Sequence, residues 1–470
     1  MGKHLPAPSV LGPEVRLDAP LRVEGADQKP PLLLRVTAVA CFVFPSNLVL
    51  EPLGAAGYVS HILALLVFAL WVTSVMLGLH KTIDREHPGR FALAALFAVS
   101  CASYAAMYVG ISGGTTDAMR ASADRWMLLM VASSGLVLVT TETTRTVDAA
   151  MMLVRSLLRG AVFCSIVAVI QFTSHVDPMA WFQGILPGFK DNGGNQPFQE
   201  RGSFLRVAGS TFHPIELGVI ASMLLPLSLW RALYDRSGRK WMHWTGTGFI
   251  VFAIAATISR SAVLGVLTVA LVFFPFLPSR SRQWTVLGFT GAATLLFLAV
   301  PGFVATLFGS VTAGTADPSI TARLEDYPRV EAMVSARPWL GIGPGAYLTR
   351  NAIEVLDNQY LKTIVEMGVP GFLALLLYMV VPGIAAWLAA FKAKEERLKT
   401  LAAAVAAACL VAAPASAAFD SLGFPVLALV YPMCVGLSGT VWLLVAGERR
   451  ALGPTTKEQG SNLAESERLP

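Results

Sequence analysis

Charge is scarce in this chain and cysteine scarcer. Only 14% of the 470 residues are charged, while 54% are hydrophobic and the mean hydropathy is +0.60. That is too little charge to cover a soluble globule of this size. The five cysteines, Cys41, Cys101, Cys164, Cys409 and Cys434, all fall in or beside apolar stretches, and no pair has metal-ligand spacing. A disulfide framework and a zinc site are therefore not expected. No Asp-x-Asp occurs anywhere, so a diphosphate bridged by metal is not favoured; the expectation is no metal and no cofactor. No basic patch is interleaved with stacking aromatics, which argues against nucleic acid as a partner. No internal repeat is found, which argues weakly against transporter folds built from repeated halves. Residues 1–31 are rich in Pro, Gly and charge without an apolar run. They read as a disordered cytoplasmic tail and not as a signal peptide.

What the chain does have is apolar runs of about twenty residues, each able to cross roughly 30 Å of hydrocarbon. They fall at 32–50, 58–79, 91–111, 126–141, 155–174, 212–233, 244–258, 261–278, 285–308, 371–391, 400–419 and 422–446. The expected fold class is an all-α polytopic membrane protein with about 12 transmembrane helices in one domain, 32–446. Lys and Arg collect in alternate loops: Lys81, Arg85 and Arg90; Arg145, Arg155 and Arg159; Arg231, Arg236, Arg239 and Lys240; Arg280 and Arg282; Lys392, Lys394, Arg397 and Lys399. The loops between them carry few or balanced charges, such as Glu51 and Asp117, Arg120, Asp124 and Arg125. The positive-inside rule then puts both termini, including the polar tail 447–470, in the cytoplasm. Two long segments, 175–210 and 309–370, fall outside, the larger between spans nine and ten.

Three polar constellations stand out. Arg206 precedes His213-Pro214-Ile215-Glu216 at the start of a span, with His213 and Glu216 near one helical face. This is either an interfacial cap, with Pro214 at a tolerated first position, or a place where Arg206 and the helix N-terminus meet an anion. Thr257-Ile258-Ser259-Arg260-Ser261-Ala262 lies between two spans. Its arginine must snorkel or face protein or water. The longest block is Ser335–Gly371, glycine-rich and polar, which cannot face lipid as irregular backbone. Gly341-x-Gly343-x-Gly345 within it is not a dinucleotide fingerprint, because no strand precedes it and no Rossmann unit surrounds it. Turn-forming glycines suffice. After Asp357-Asn358 comes an apolar helical stripe, Tyr360, Leu361, Ile364 and Val365, which would present the two polar residues at its opening turn. The run Tyr234-Asp235-Arg236-Ser237-Gly238-Arg239-Lys240 resembles a loop of major facilitator transporters. It lies between the wrong spans for that family, and a basic turn between helix ends explains it.

The run Pro338-Trp339-Leu340-Gly341-Ile342-Gly343-Pro344-Gly345, then Asp357-Asn358-Gln359-Tyr360-Leu361, then Glu366-Met367-Gly368-Val369-Pro370-Gly371 resembles the signature loop of the O-antigen ligase and polymerase superfamily. The segments R-x-x-G-x-x-x-H-P at Arg206–Pro214 and T-x-S-R-S-A at Thr257–Ala262 are similar to further family segments. Arg323 stands where another family arginine is typical. Many members have histidine at the position of Asp357; this chain has aspartate.

The resemblance implies an enzyme of the bacterial cytoplasmic membrane with its active site on the extracytoplasmic face. It would be a glycosyltransferase moving a glycan from a polyprenyl-diphosphate donor to an acceptor hydroxyl, on another glycan (polymerase) or on a different surface molecule (ligase). Its partners would be the lipid-linked glycan, the acceptor and membrane lipid. Arg206 and Arg260 would neutralise charge growing on the leaving diphosphate, and Arg323, Asn358 and Glu366 would contact substrate. Asp357, ionised but weakly basic with a pKa near about 4 when exposed, either takes the acceptor proton or orients the acceptor while His213 takes it. A twelve-span transporter or flippase for an anionic or lipid-linked glycan is the alternative from another class.

Overall fold

The computed structural model describes residues 29–79, 86–201, 204–279, 282–283, 318–349 and 355–451. The N-terminal tail, the expected span at 285–308 and most of the C-terminal tail lie outside the described residues. Helices dominate: α1 (Leu32–Val43), α2 (Val59–Met76), α3 (Pro88–Tyr108), α4 (Asp117–Thr143), α5 (Val147–Ser174), α6 (Pro214–Tyr234), α7 (Lys240–Ala256), α8 (Arg260–Val272), α9 (Pro318–Ala336), α10 (Gln359–Lys392), α11 (Glu396–Ser416) and α12 (Pro425–Ala451). Eight of these, α2 to α6 and α10 to α12, are long and apolar enough to cross a membrane. Helix is the conformation such runs must take, since an open strand in lipid leaves backbone amides unpaired. The chain is thus an all-α, multi-span membrane protein.

Several helices begin on caps visible in the sequence. Thr116 accepts the Met119 amide, Thr146 that of Ala149, and Asn358 those of Tyr360 and Leu361, each side-chain oxygen satisfying amides that a first turn leaves open. The centre of the bundle is α11, whose run Leu401–Cys409 is fully buried. Its alanines let α6, α8, α10 and α12 approach closely, as small residues do between membrane helices. Glycines serve the same end: a Cβ at Gly265 would lie 2.7 Å from Ser222, and one at Gly383 2.5 Å from Leu410. By contrast α2 lies at the periphery, with Leu66, Leu70 and Met76 exposed.

One expectation is corrected, and the two external segments carry structure that had not been assigned. The apolar run at 32–50 does not continue as one helix. α1 ends at Val43, before Pro45-Ser46-Asn47, and Leu48–Leu50 forms strand β1, paired antiparallel with β2 (Phe189–Asp191). Proline removes a donor and biases the residue before it towards extended backbone. The segment 175–210 carries β2 and a hairpin of β3 (Phe198–Arg201) and β4 (Phe204–Val207). Within 309–370, the stretch Pro318–Ala336 is helical despite Pro328 and its charges. Val330, Met333 and Val334 bury against Leu356 and Val365 there, so packing overrides the local signals.

The loops sort to two ends. At one, Asp235 accepts from Arg155 at 2.6 and 2.9 Å and from Arg231 at 3.2 Å, and Arg397 pairs with Asp148 at 2.6 Å. Burial alone would raise the Asp235 carboxyl, but these guanidiniums and Ser237 hold it well below the usual carboxylate range. The transporter-like Tyr234–Lys240 run is this turn. At the other end lie both ribbons, the α7–α8 turn, α9, the glycine loop and the α11–α12 loop.

Glu216 ties that second end together. Fully buried, it accepts from Phe212 N at 2.8 Å and from Val426 N and Leu427 N at 2.8 and 3.0 Å, at the start of α12. Glu216→Ala is expected to cost about 1–3 kcal/mol for each amide left without an acceptor. Thermal unfolding in detergent checks this: the alanine variant should melt lowest, and Glu216→Gln, which keeps one carbonyl oxygen, should fall between it and the native protein.

Candidate functional site

Arg206 projects from β4 and is 7% exposed. Its Nε donates to the Thr257 carbonyl at 2.7 Å and its Nη1 to Gln199 Oε1 at 3.2 Å. The first and second constellations are thus in contact, through a guanidinium that holds the turn between α7 and α8. Ile258 in that turn has φ +45°, a left-handed conformation a β-branched residue avoids, at a cost of about 1–3 kcal/mol. Arg260 follows as the first residue of α8, half-buried. Gly218 of α6 makes room for the turn, since a Cβ there would meet Thr257 Oγ1 at 2.8 Å.

His213 is the cap of α6: its Nδ1 accepts the Ile215 amide at 3.0 Å. The proton of the neutral ring must then sit on Nε2, which can donate but not accept. Burial, with the charge of Arg206 adding to it, pushes the imidazole down to about 4. The ring packs edge-on against Phe424 at 5.7 Å, and Phe424 lies 5.2 Å from Phe419. The Phe419 carbonyl accepts the Gln359 amide at 3.3 Å, and Gln359 Oε1 accepts the Leu422 amide at 2.7 Å. Residues 417–424, which the sequence reading passed over, therefore join His213 to the start of α10.

The glycine loop docks on a kink in α10. Gly368 has φ +67°, and a Cβ there would lie 2.5 Å from the Pro338 carbonyl oxygen. Gly343 N donates to Glu366 O at 2.9 Å and Val369 N to Pro338 O at 2.8 Å, while Ser103 Oγ donates to Leu340 O at 2.7 Å. Gly341, Gly343 and Gly345 all take positive φ. Glu366 is wholly buried, its Oε1 accepting the Tyr347 amide at 3.3 Å. Asn358 caps α10 and is half-buried; Asp357, one residue earlier, is exposed. Arg323 falls on α9, and its side chain is outside the described residues.

Beside these groups opens a cavity of about 270 Å³. Arg125 and Trp126 of α4, Asn47, Gly345, Lys362 of α10 and Asp420 line it, and it reaches Phe212, next to His213. Lys362 Nζ and Asp420 Oδ2 are 2.5 Å apart, each side chain 23% exposed. Neither Arg206, Arg260 nor Asp357 lines it. Asp420 was the signal available in the sequence: a lone acid between two apolar spans demands a partner. Among the described residues no cluster of His, Cys, Asp and Glu is arranged to hold a metal.

Residues 245–376 match the family model described as O-Antigen ligase. The match supports membership of the O-antigen ligase and polymerase superfamily over that segment, which is less than half of the chain. It takes in Arg260, Arg323, Asp357, Asn358 and Glu366, and leaves out Arg206 and His213. No curated protein matches the chain.

The His213 cap has a pH signature. Its folded pKa, about 4, lies below the unfolded value of roughly 6.5. The stability that a neutral ring contributes is present above about pH 6.5 and is lost as pH falls towards 4. Asn caps equally well without titrating. The melting temperature of His213→Asn is therefore expected to fall less than that of the native protein between those pH values.

Proposed function

We propose that the chain is a glycosyltransferase of the polymerase or ligase type, working on the extracytoplasmic face of a membrane it crosses twelve times with both termini in the cytoplasm. The observation that carries the reading is the bond from Arg206 Nε to the Thr257 carbonyl. It sets the two arginine segments side by side, at the same end as the start of α10. The twelve crossings are the eight long helices, the shorter α1, α7 and α8, and the expected segment 285–308. Phe276, packed edge-on against Phe391 near the foot of α10, and α9, packed near the head of α10, lie at opposite ends, which supports an odd number of crossings between them.

In the reaction an acceptor oxygen forms a bond to the sugar C1 while the bond from C1 to the diphosphate oxygen breaks. The electron pair leaves with the diphosphate, and the acceptor proton passes to a base. Arg260 meets the growing negative charge as a bidentate donor that never deprotonates. Arg206, largely spent on Thr257, holds the turn that presents it. Asp357 is the base. What supports assigning it over His213 is the capped Nδ1: to accept a proton at Nε2, His213 would first have to release the Ile215 amide. His213 Nε2–H instead donates to the substrate. Asn358 sets the first turn of α10, Glu366 sets the glycine loop, and Arg323 contacts the donor.

Purified protein in lipid, given a polyprenyl-diphosphate oligosaccharide, should release polyprenyl diphosphate; translocation without release would mean a transporter instead. Arg260→Ala should lose on the order of 10²-fold in rate, with Lys a poor substitute. Asp357→Asn should be nearly inactive, Asp357→His active with its acidic limb moved towards the histidine pKa, and His213→Asn active. A dead His213→Asn beside an active Asp357→Asn would reverse the roles. Reporter tags should read extracytoplasmic after residue 340 and cytoplasmic at both termini.

A further inference from the structure

The cavity beside the glycine loop has an electrostatic character of its own. Its charged lining is Arg125, Lys362 and Asp420. Lys362 and Asp420 pair at 2.5 Å and neutralise each other. Arg125 is half-buried and makes no hydrogen bond or ion pair with any described residue. One guanidinium is therefore left facing a partly enclosed space, with Lys362 close enough for the two like charges to repel. A half-buried cation without a counterion is costly, and an anionic ligand would relieve that cost. A second orphan points the same way: Asp420 Oδ1 is buried without a hydrogen-bond partner, so a donor is wanted beside the anion.

The anion's kind follows from the rest of the lining. A net charge of one suits a monoanion. A phosphate or diphosphate, with two or more charges, would find a single uncompensated cation and a carboxylate opposing it. Asn47, whose amide nitrogen is taken by Asp191, Ser46 and Ser122 offer acceptors and hydroxyls. The indole of Trp126, its Nε1 already bonded to Ser100 at 3.1 Å, offers an apolar wall. Hydroxyl partners around an apolar wall suit a sugar ring, which has polar edges and a C–H face. We infer that this cavity binds a carboxylate-bearing sugar unit, its carboxylate on Arg125 and a ring hydroxyl donating to Asp420. On the reading proposed above, that unit belongs to the glycan being transferred or extended. None of the lining cations belongs to the arginine segments assigned to the leaving group, so the cavity sets which glycan is taken.

The test is binding and not turnover, so it stands apart from the transferase reading. Full-length protein in lipid nanodiscs is titrated with D-glucuronate, D-glucose and inorganic phosphate, read by saturation-transfer NMR. Glucuronate should bind about tenfold tighter than glucose, the worth of one charge-assisted contact, and phosphate should not displace it. Arg125→Gln should bring glucuronate down to glucose, Arg125→Lys should keep part of the preference, and Arg260→Ala should keep all of it. Equal binding of the two sugars, no binding of either, displacement by phosphate, or loss of the preference in Arg260→Ala but not in Arg125→Gln would each overturn the assignment. Should Arg125→Gln fail to fold, the three ligands on the native protein still decide. Selective glucuronate binding without any transfer activity would sink the transferase reading and leave this one standing.

Discussion

At the end of the bundle that holds the candidate site, turns and loops carry backbone amides and carbonyls that no helix satisfies. Each is costly to bury unpaired, and several polar side chains buried there answer one. Glu216 takes three amides from two segments. Arg206 takes the carbonyl of a strained turn. Gln359 spans the gap to the α11–α12 loop from both its backbone and its side chain. The glycine loop lies against α10 because Gly368 and Pro370 interrupt the helix and leave its carbonyls open to Gly343 and its amide to Pro338. Remove this set and the loops have no reason to lie where they do, whatever the helices beneath them.

The same requirement separates the arginines into kinds. A guanidinium with several donors can act as a bracket, as Arg206 does on the Thr257 carbonyl. In that use its charge is secondary and its geometry is what matters. Arg125 is the opposite case, because nothing in the described chain uses its donors while its charge faces a cavity. Sequence motifs cannot distinguish the two uses. Arg206 sits in a recognisable segment and is largely occupied, whereas Arg125 sits in no motif and is open.

Much of the framework was legible beforehand, because hydrocarbon permits so few backbone solutions that apolar length alone places helices such as α5 or α11. The opening turn at Asp357-Asn358 was also legible, and Asn358 caps it. The tertiary decisions were not legible. The β1–β2 ribbon pairs residues more than a hundred positions apart, Leu48 with Asp191, and no local signal encodes that. α9 carries Pro328 within it and is helical with Val330 buried against Leu356 and Val365, which no local signal announces. His213 showed two roles in the sequence, and only the position of its Nδ1 against the Ile215 amide reveals which nitrogen is occupied.

That nitrogen also bears on the proposed choice of Asp357 over His213. On the proposed reading, a base must be able to reach the acceptor. His213 is committed: protonating Nδ1 would break the cap, and Nε2 already bears the neutral ring's proton. Asn358, beside Asp357, is committed to the first turn of α10. Glu366 is wholly buried beneath the glycine loop. Asp357 is the exposed carboxylate placed one residue before a helix start, where backbone amides point outward and favour negative charge. On the proposed reading, such a position lets it anchor an acceptor hydroxyl. Departure of the diphosphate, eased by Arg260, would then be far advanced before the proton moves, so that a weak base suffices.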